Sequence, residues 1–234
     1  MLYKFLYNMN YIGKKGYTIP KSSLTQRELI DLKNDLWLKP QINGKQFAAQ
    51  NQIPSFPVYR ENDKKLYIPR FYGIEKYGLP EKSELDEGIN IDVEFTKDLR
   101  DYQHKIVNIY MKHVESGSGG GILEVPCGRG KTVIALYIIS LLKKKTLILV
   151  HKEFLMNQWI ERIQEFVPAA KIGKIQAQTC DINDKDIVIG MIQTMYTKTY
   201  EQSVYSQFGL TVIDEVHRIG SEEFSKTLLK TITP

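Results

Sequence analysis

Residues 122–132 read Ile-Leu-Glu-Val-Pro-Cys-Gly-Arg-Gly-Lys-Thr, and residues 211–217 read Thr-Val-Ile-Asp-Glu-Val-His. The first stretch has the make-up of a loop that cradles phosphate. Gly128 and Gly130 leave room for backbone N–H groups to turn toward an anion, and a helix beginning behind them adds partial positive charge. Lys131 is placed to reach the β- and γ-phosphates of a nucleoside triphosphate, and the Thr132 hydroxyl to take one coordination position of Mg2+. Pro126, Cys127 and Arg129 complete the loop as candidate nucleotide contacts, Arg129 without a catalytic role. The first glycine of the general pattern falls on Val125, a departure that leaves the phosphate chemistry of Gly-Lys-Thr intact.

The second stretch ends a β-branched run in two carboxylates. Asp214 can hold the metal through its water shell, and Glu215 can ligate it too or orient and deprotonate an attacking water. His217 would then stand close to the γ-phosphate, where it could sense a change in the nucleotide. Both stretches need the same frame, which is a strand that delivers the reactive residues to the carboxyl edge of a parallel sheet. Residues 121–125 and 210–213 are short apolar runs suited to buried strands, and 133–142 is apolar and helical in length. An α/β fold with a parallel sheet flanked by helices is expected.

At these residues the sequence resembles the superfamily 2 helicases and translocases, in the DExH branch. Further segments carry the resemblance. Leu99-Arg100-Asp101-Tyr102-Gln103 is similar to the element before the phosphate loop, and the resemblance makes Arg100 and Gln103 nucleotide contacts, Gln103 at the adenine edge. Residues 146–159 resemble motif Ia and its helix, and residues 189–195 a later element that touches the nucleic-acid backbone. His151, Lys152, Gln193 and Thr194 are thereby implied as nucleic-acid contacts. Pro-Cys-Gly-x-Gly-Lys-Thr with Leu-Val-His-Lys is most similar to the group holding the XPB-type and UvsW-type helicases and helicases of large DNA viruses. The resemblance covers residues 96–234 and implies a first RecA-like domain using ATP and Mg2+. In the family a second RecA-like domain supplies arginines to the ATP site, so the chain reads as a partial motor that binds ATP and hydrolyses it slowly by itself.

Composition sets the outer bounds. With 234 residues, 42% of them hydrophobic, the chain can bury one good core and a smaller second one. Two isolated cysteines, Cys127 and Cys180, suggest a reducing compartment, and no run of about 18 apolar residues offers a membrane span. A soluble, intracellular protein with no membrane partner is expected. The net charge of +5 is uneven: residues 1–83 hold 14 Lys or Arg against 7 Asp or Glu, whereas 84–94 hold five acids and no base. The expected division is an α+β accessory domain at 1–83, a linker at 84–97 and the ATP-binding domain at 98–234.

Residues 1–83 also carry 13 of the 25 aromatic residues. Basic groups neutralise phosphates and aromatic faces stack on bases, so the segment suits nucleic acid, although a small core and its solvated lysines account for the same composition. Within it, 23–34 reads as a capped helix, and 56–60 with 65–69 as a hairpin. Lys143, Lys144 and Lys145 read as a solvated helix terminus, and Trp159, Phe154, Leu155 and Phe166 as core. The leading expectation is an ATP-dependent DNA helicase or translocase. An RNA helicase, a restriction-enzyme motor, and a nucleotide-binding interaction module without motor activity are the alternatives.

Lys131→Ala should weaken ADP or ATP binding by about 1.5–3 kcal/mol, the range for a hydrogen bond to a charged group. Calorimetric titration that gave wild type and variant equal affinities would remove Lys131 from the site.

Overall fold

The structure is a computed structural model that describes residues 9–38, 55–80, 82–216, 222–228, 230–231 and 233–234. The chain forms two compact units, 1–85 and 86–234.

The first unit is built on an antiparallel sheet. Strands β1 (Tyr11–Gly13), β2 (Gly16–Pro20), β5 (Arg60–Glu61), β6 (Lys65–Ile68) and β7 (Lys82–Ser83) lie in the order β5-β6-β2-β1-β7, with only the β1–β7 pair parallel. Helix α1 (Gln26–Asp35) begins at Thr25, whose hydroxyl accepts the Glu28 N–H at 3.2 Å while the Glu28 carboxylate accepts the Thr25 N–H at 2.7 Å. That reciprocal cap satisfies two otherwise orphaned donors and sets the start of the expected helix. Ile12, Tyr17, Ile19, Leu32, Leu36, Leu66 and Ile68 form the core. The expected hairpin is partly realised: β5 pairs with β6 across a turn in which Asn62 Oδ1 accepts the Lys64 and Lys65 N–H groups. Phe56–Pro57 (β4) instead pairs with Trp37–Leu38 (β3). Helix α2 (Arg70–Tyr77) follows β6.

The second unit has the expected α/β architecture. Its sheet runs β10-β9-β11-β8-β12, with β8 (Thr146–Val150), β9 (Ile172–Gln176), β11 (Ile187–Met191) and β12 (Leu210–Ile213) parallel and β10 (Thr179–Asp181) antiparallel at the edge. Side chains alternate between the faces of a strand. Ile148 and Val150 therefore pack with α4 (Lys131–Leu142) and α5 (Glu153–Phe166), through Leu136, Ile139, Met156, Trp159 and Ile163. Leu147 and Leu149 pack on the opposite face with Ile192, Met195, Phe208 and Phe224 from α6 (Ile192–Thr197), the segment before β12, and α8 (Glu222–Leu228). The short helix α7 (Gln202–Tyr205) precedes β12, and α3 (Asp101–His113) packs with α4 in a further cluster of Leu99, Val107, Val125, Ile134 and Ile138. No helix among the described residues is long and apolar enough to cross a membrane.

Three expectations are corrected. Residues 121–125 are not a paired strand: none of their backbone joins the sheet, and Ile122 is 77% exposed, because β12 ends the sheet as its edge strand with no neighbour beyond it among the described residues. The linker segment is, from Asp86 onward, part of the second unit. Ile91 and Val93 are buried in its core, the Ile91 N–H donates to the Lys143 carbonyl at 2.9 Å, and the Lys145 N–H donates to the Ile89 carbonyl at 2.7 Å. Its acids face the lysine run, Asp92 pairing with Lys143 at 2.9 Å and Glu87 with Lys144 at 3.3 Å. Lys145 is the third correction. It is buried, its ammonium donating to the Ile182 carbonyl at 2.6 Å and Gln207 Oε1 at 2.7 Å, and burial pushes its pKa below the ordinary lysine value.

Gly88 fixes this strap. Its φ is +70°, and a Cβ there would stand 2.1 Å from the Gly209 nitrogen. Gly88→Ala should therefore destabilise the second unit, by about 1–3 kcal/mol for the positive φ and a similar amount for the overlap. Urea unfolding that showed no loss would return 86–97 to the status of a linker.

Candidate nucleotide and nucleic-acid site

The connection from α4 to β8 is three residues long, so the helix runs antiparallel to the strand it precedes. A helix of 12 residues rises about 18 Å, and a strand of five spans about 16 Å. The start of α4 consequently lies at the carboxyl edge of β8. Residues 126–130 form the turn there, with Gly128 and Gly130 at φ +75° and +79°. A Cβ on Gly128 would meet nothing within 4 Å, which leaves the mouth of the loop open, while one on Gly130 would stand 2.5 Å from Gln103 Nε2. Lys131 and Thr132 occupy the first turn of α4.

The acidic pair arrives at the same edge through a different strand. β12 pairs with β8 from Leu210 opposite Thr146 to Ile213 opposite Leu149, and the Asp214 N–H extends the ladder to the Leu149 carbonyl at 3.1 Å. Leu210 and Val212 pack on the α4 and α5 face, and the period of two puts Asp214 on that face as well. Asp214 Oδ1 accepts the Glu215 N–H at 2.9 Å, and Asp214 Oδ2 accepts the Trp159 indole N–H at 3.0 Å. Glu215 sits at φ +59°, in the left-handed region. A carboxylate in a sparsely populated backbone conformation, directly after a strand at this edge, is the kind of strain that accumulates at working sites. His217 lies outside the described residues.

Gln103 ties the loop to the start of α3. Its Oε1 accepts the Arg100 N–H at 2.9 Å, capping α3, and its Nε2 donates to the Arg129 carbonyl at 3.2 Å. Tyr102 adds a second donor to the same carbonyl at 3.2 Å, and the Arg129 guanidinium lies 5.7 Å from the Tyr102 ring. Gln103 is buried. Half of its hydrogen-bonding capacity is committed inside the protein, which leaves one N–H and one lone pair. Arg100 extends toward Tyr102, with Nη1 and the phenol oxygen 3.4 Å apart.

The residues expected to touch nucleic acid gather at the same carboxyl edge. His151 and Lys152 follow β8, Gln193 and Thr194 follow β11, and Gln193 Nε2 donates to the His151 carbonyl at 3.0 Å. Thr194 Oγ1 accepts the Ala177 N–H at 3.1 Å. The Lys152 ammonium lies 5.7 Å from the ring of Phe154, which is 54% exposed rather than in the core. Trp159 is buried as expected, but its polar edge is part of the site, a role the helical apolar pattern around it gave no sign of.

Oxygen donors suit Mg2+, which keeps most of its water and takes one or two protein oxygens beside those of substrate phosphates. The Thr132 hydroxyl and the Asp214 carboxylate are such donors. No grouping of three or more His, Cys, Asp and Glu able to cage a metal occurs among the described residues.

Residues 96–234 match the family described as "Type III restriction enzyme, res subunit". The chain is 33% identical over 94% of its length to a protein of Acanthamoeba polyphaga mimivirus named as an ATP-dependent RNA helicase. It is 33% identical over 67% of its length to a DNA 3'-5' translocase of the XPB type from Sulfurisphaera tokodaii. A protein of African swine fever virus, also named as an ATP-dependent RNA helicase, is 32% identical over 60% of the chain. The chain spans 42%, 34% and 28% of these three relatives.

Gln103→Leu should remove two hydrogen bonds, the one that ties the loop to α3 and the one that caps α3. At a net value of about 0.5–1.5 kcal/mol each, the loss of stability should be about 1–3 kcal/mol. Denaturant unfolding that left the midpoint unmoved would show that the amide contributes nothing to holding the loop.

Proposed function

The chain belongs to the family of the type III restriction enzyme res subunit, among the superfamily 2 helicases and translocases, and on that premise we propose that it is the ATP-hydrolysing part of a motor that moves on nucleic acid, DNA in preference to RNA. One observation carries the reading. The phosphate loop at the start of α4 and the carboxylates after β12 stand at the same edge and on the same face of one parallel sheet.

In this reading the backbone N–H groups of 127–130 and the Lys131 ammonium hold the β- and γ-phosphates, with Thr132 and Asp214 holding Mg2+. The ion, when bound, would neutralise charge that develops on the phosphate oxygens. Glu215 takes the proton of the attacking water. His151, Lys152, Gln193 and Thr194 hold the strand at the same edge, so the two ligands share the ends of β8, β11 and β12. A change at the γ-phosphate is then transmitted to the nucleic-acid contacts through the strands themselves. The preference for DNA rests on the wording of the phosphate loop and of the segment after β8. The mimivirus and swine-fever-virus relatives carry RNA in their names and the archaeal one DNA.

Each phosphate neutralised by a cation adds about one unit to the slope of log affinity against log salt, slightly less on single strands. Lys152→Ala should lower that slope by roughly 0.7–1 on single-stranded DNA, with a uniform loss of affinity across sequences. Fluorescence anisotropy showing an unchanged slope would leave Lys152 a solvated lysine. Equal affinity for RNA of the same sequence would overturn the preference for DNA.

A further inference from the structure

We infer that Trp159 is a positioning residue for the metal-binding carboxylate: its indole N–H fixes Asp214 in the orientation from which it holds Mg2+. The inference rests on the reading of Asp214 as a metal-holding group and goes beyond it to a residue 55 positions earlier in the chain, outside both motifs.

The geometry is specific. Trp159 lies on α5 with 4% of its surface exposed, in the same buried cluster as Met156, Ile163, Val150 and Ile148. Its Nε1 is the one polar atom of the side chain and a donor only. It points at Asp214 Oδ2 from 3.0 Å, and the Glu215 N–H meets the other oxygen from 2.9 Å. Each carboxylate oxygen has two lone-pair directions, and one on each is thus occupied. The side chain can no longer rotate without breaking a charge-assisted hydrogen bond, and the remaining lone pair on each oxygen has a fixed direction in which to meet the ion or its water.

The arrangement also explains why an indole stands here. A phenyl ring would fill most of the same apolar space but would leave Asp214 Oδ2 without its donor, at the boundary between core and site. Partners that orient a ligating carboxylate in this way are worth about 10- to 100-fold in metal affinity. Packing and orientation are carried by one side chain, α5 supplying both.

The test separates orientation from packing. Calorimetric titration of ADP, at a series of Mg2+ concentrations and in chelator, gives the affinity for the metal-free nucleotide and the Mg2+ concentration at half effect. For Trp159→Phe in the 234-residue chain, the metal-free affinity should match wild type while the half-effect Mg2+ concentration rises about tenfold or more. Equal Mg2+ dependence in Trp159→Phe, together with a raised one in Asp214→Asn, would overturn the inference and leave the metal reading standing. Unchanged Mg2+ dependence in Asp214→Asn would overturn both. A second measurement avoids the substitution at Trp159. The chain has two tryptophans, and Trp37→Phe identifies the indole resonance of Trp159 in a nitrogen–proton correlation spectrum. Asp214→Asn should move that proton upfield by weakening its bond, and Mg2+ added to the ADP complex should move it in wild type. A resonance that responds to neither would refute the contact.

Discussion

The register of Thr146–Val150 with its two parallel neighbours decides where the acidic pair and the residues after β8 and β11 end up. β8 pairs residue for residue with β11 on one side and β12 on the other, β11 ending level with Val150 and β12 one residue earlier, opposite Leu149. A slip of one residue in β12 would turn Asp214 to the opposite face of the sheet, away from α4, because side chains alternate with a period of two. What forbids the slip is burial on both faces. Leu210 and Val212 pack against one core and Ile213 against the other, and a one-residue shift of β12 would exchange their faces and turn the polar Thr211 toward the first. The site is therefore specified by apolar residues that touch no ligand.

A second constraint ties the loop to the helices around it. Residues 121–125 gain nothing from the sheet, so the phosphate loop is anchored from other directions: by α4 behind it, by Val125 in the cluster with Leu99 and Val107, and by the Gln103 and Tyr102 donors on the Arg129 carbonyl. The glycine at 130 allows that approach, since a Cβ would occupy the place of the Gln103 amide. One residue thus meets two demands, the positive φ of the turn and the close packing of α3 against it.

The parts legible in the sequence were those whose signal is local. Gly128, Gly130, Lys131 and Thr132 announce their turn through backbone conformation and residue chemistry within a few positions. The β-branched run ahead of Asp214 announces its strand in the same way. The unread parts depend on partners far along the chain. The acids at 87 and 92 looked like a solvated linker because the lysines at 144 and 143 that they face come more than fifty residues later. Lys145 looked like its two neighbours, yet the chain reverses there into β8 and carries it inside, next to Gln207 and the Ile182 carbonyl. Trp159 read as an apolar residue on an apolar stripe, and nothing within a helical turn of it names a carboxylate 55 residues on as its partner.

The first unit shows why composition stops short of function. Its surplus of cations and aromatic rings suits nucleic acid, but many of these groups already answer to one another. Lys21 and Lys33 pair with Glu61, and Lys76 lies between Asp35 and the Tyr72 hydroxyl. Lys65 donates to the Tyr11 hydroxyl at 3.0 Å. An exposed ion pair is worth little to stability, yet it lowers the field that a phosphate backbone would feel, because each paired acid cancels a charge within a few ångströms. What attracts a polyanion is the surplus left after pairing and its grouping on one face, not the count of lysines. In the second unit it is the strand ends that bring the residues of the candidate site together at one edge. In the first unit such grouping would have to come from side chains spread over hairpins and helices, which is why the edge of the parallel sheet, and not the more basic unit, carries the functional reading.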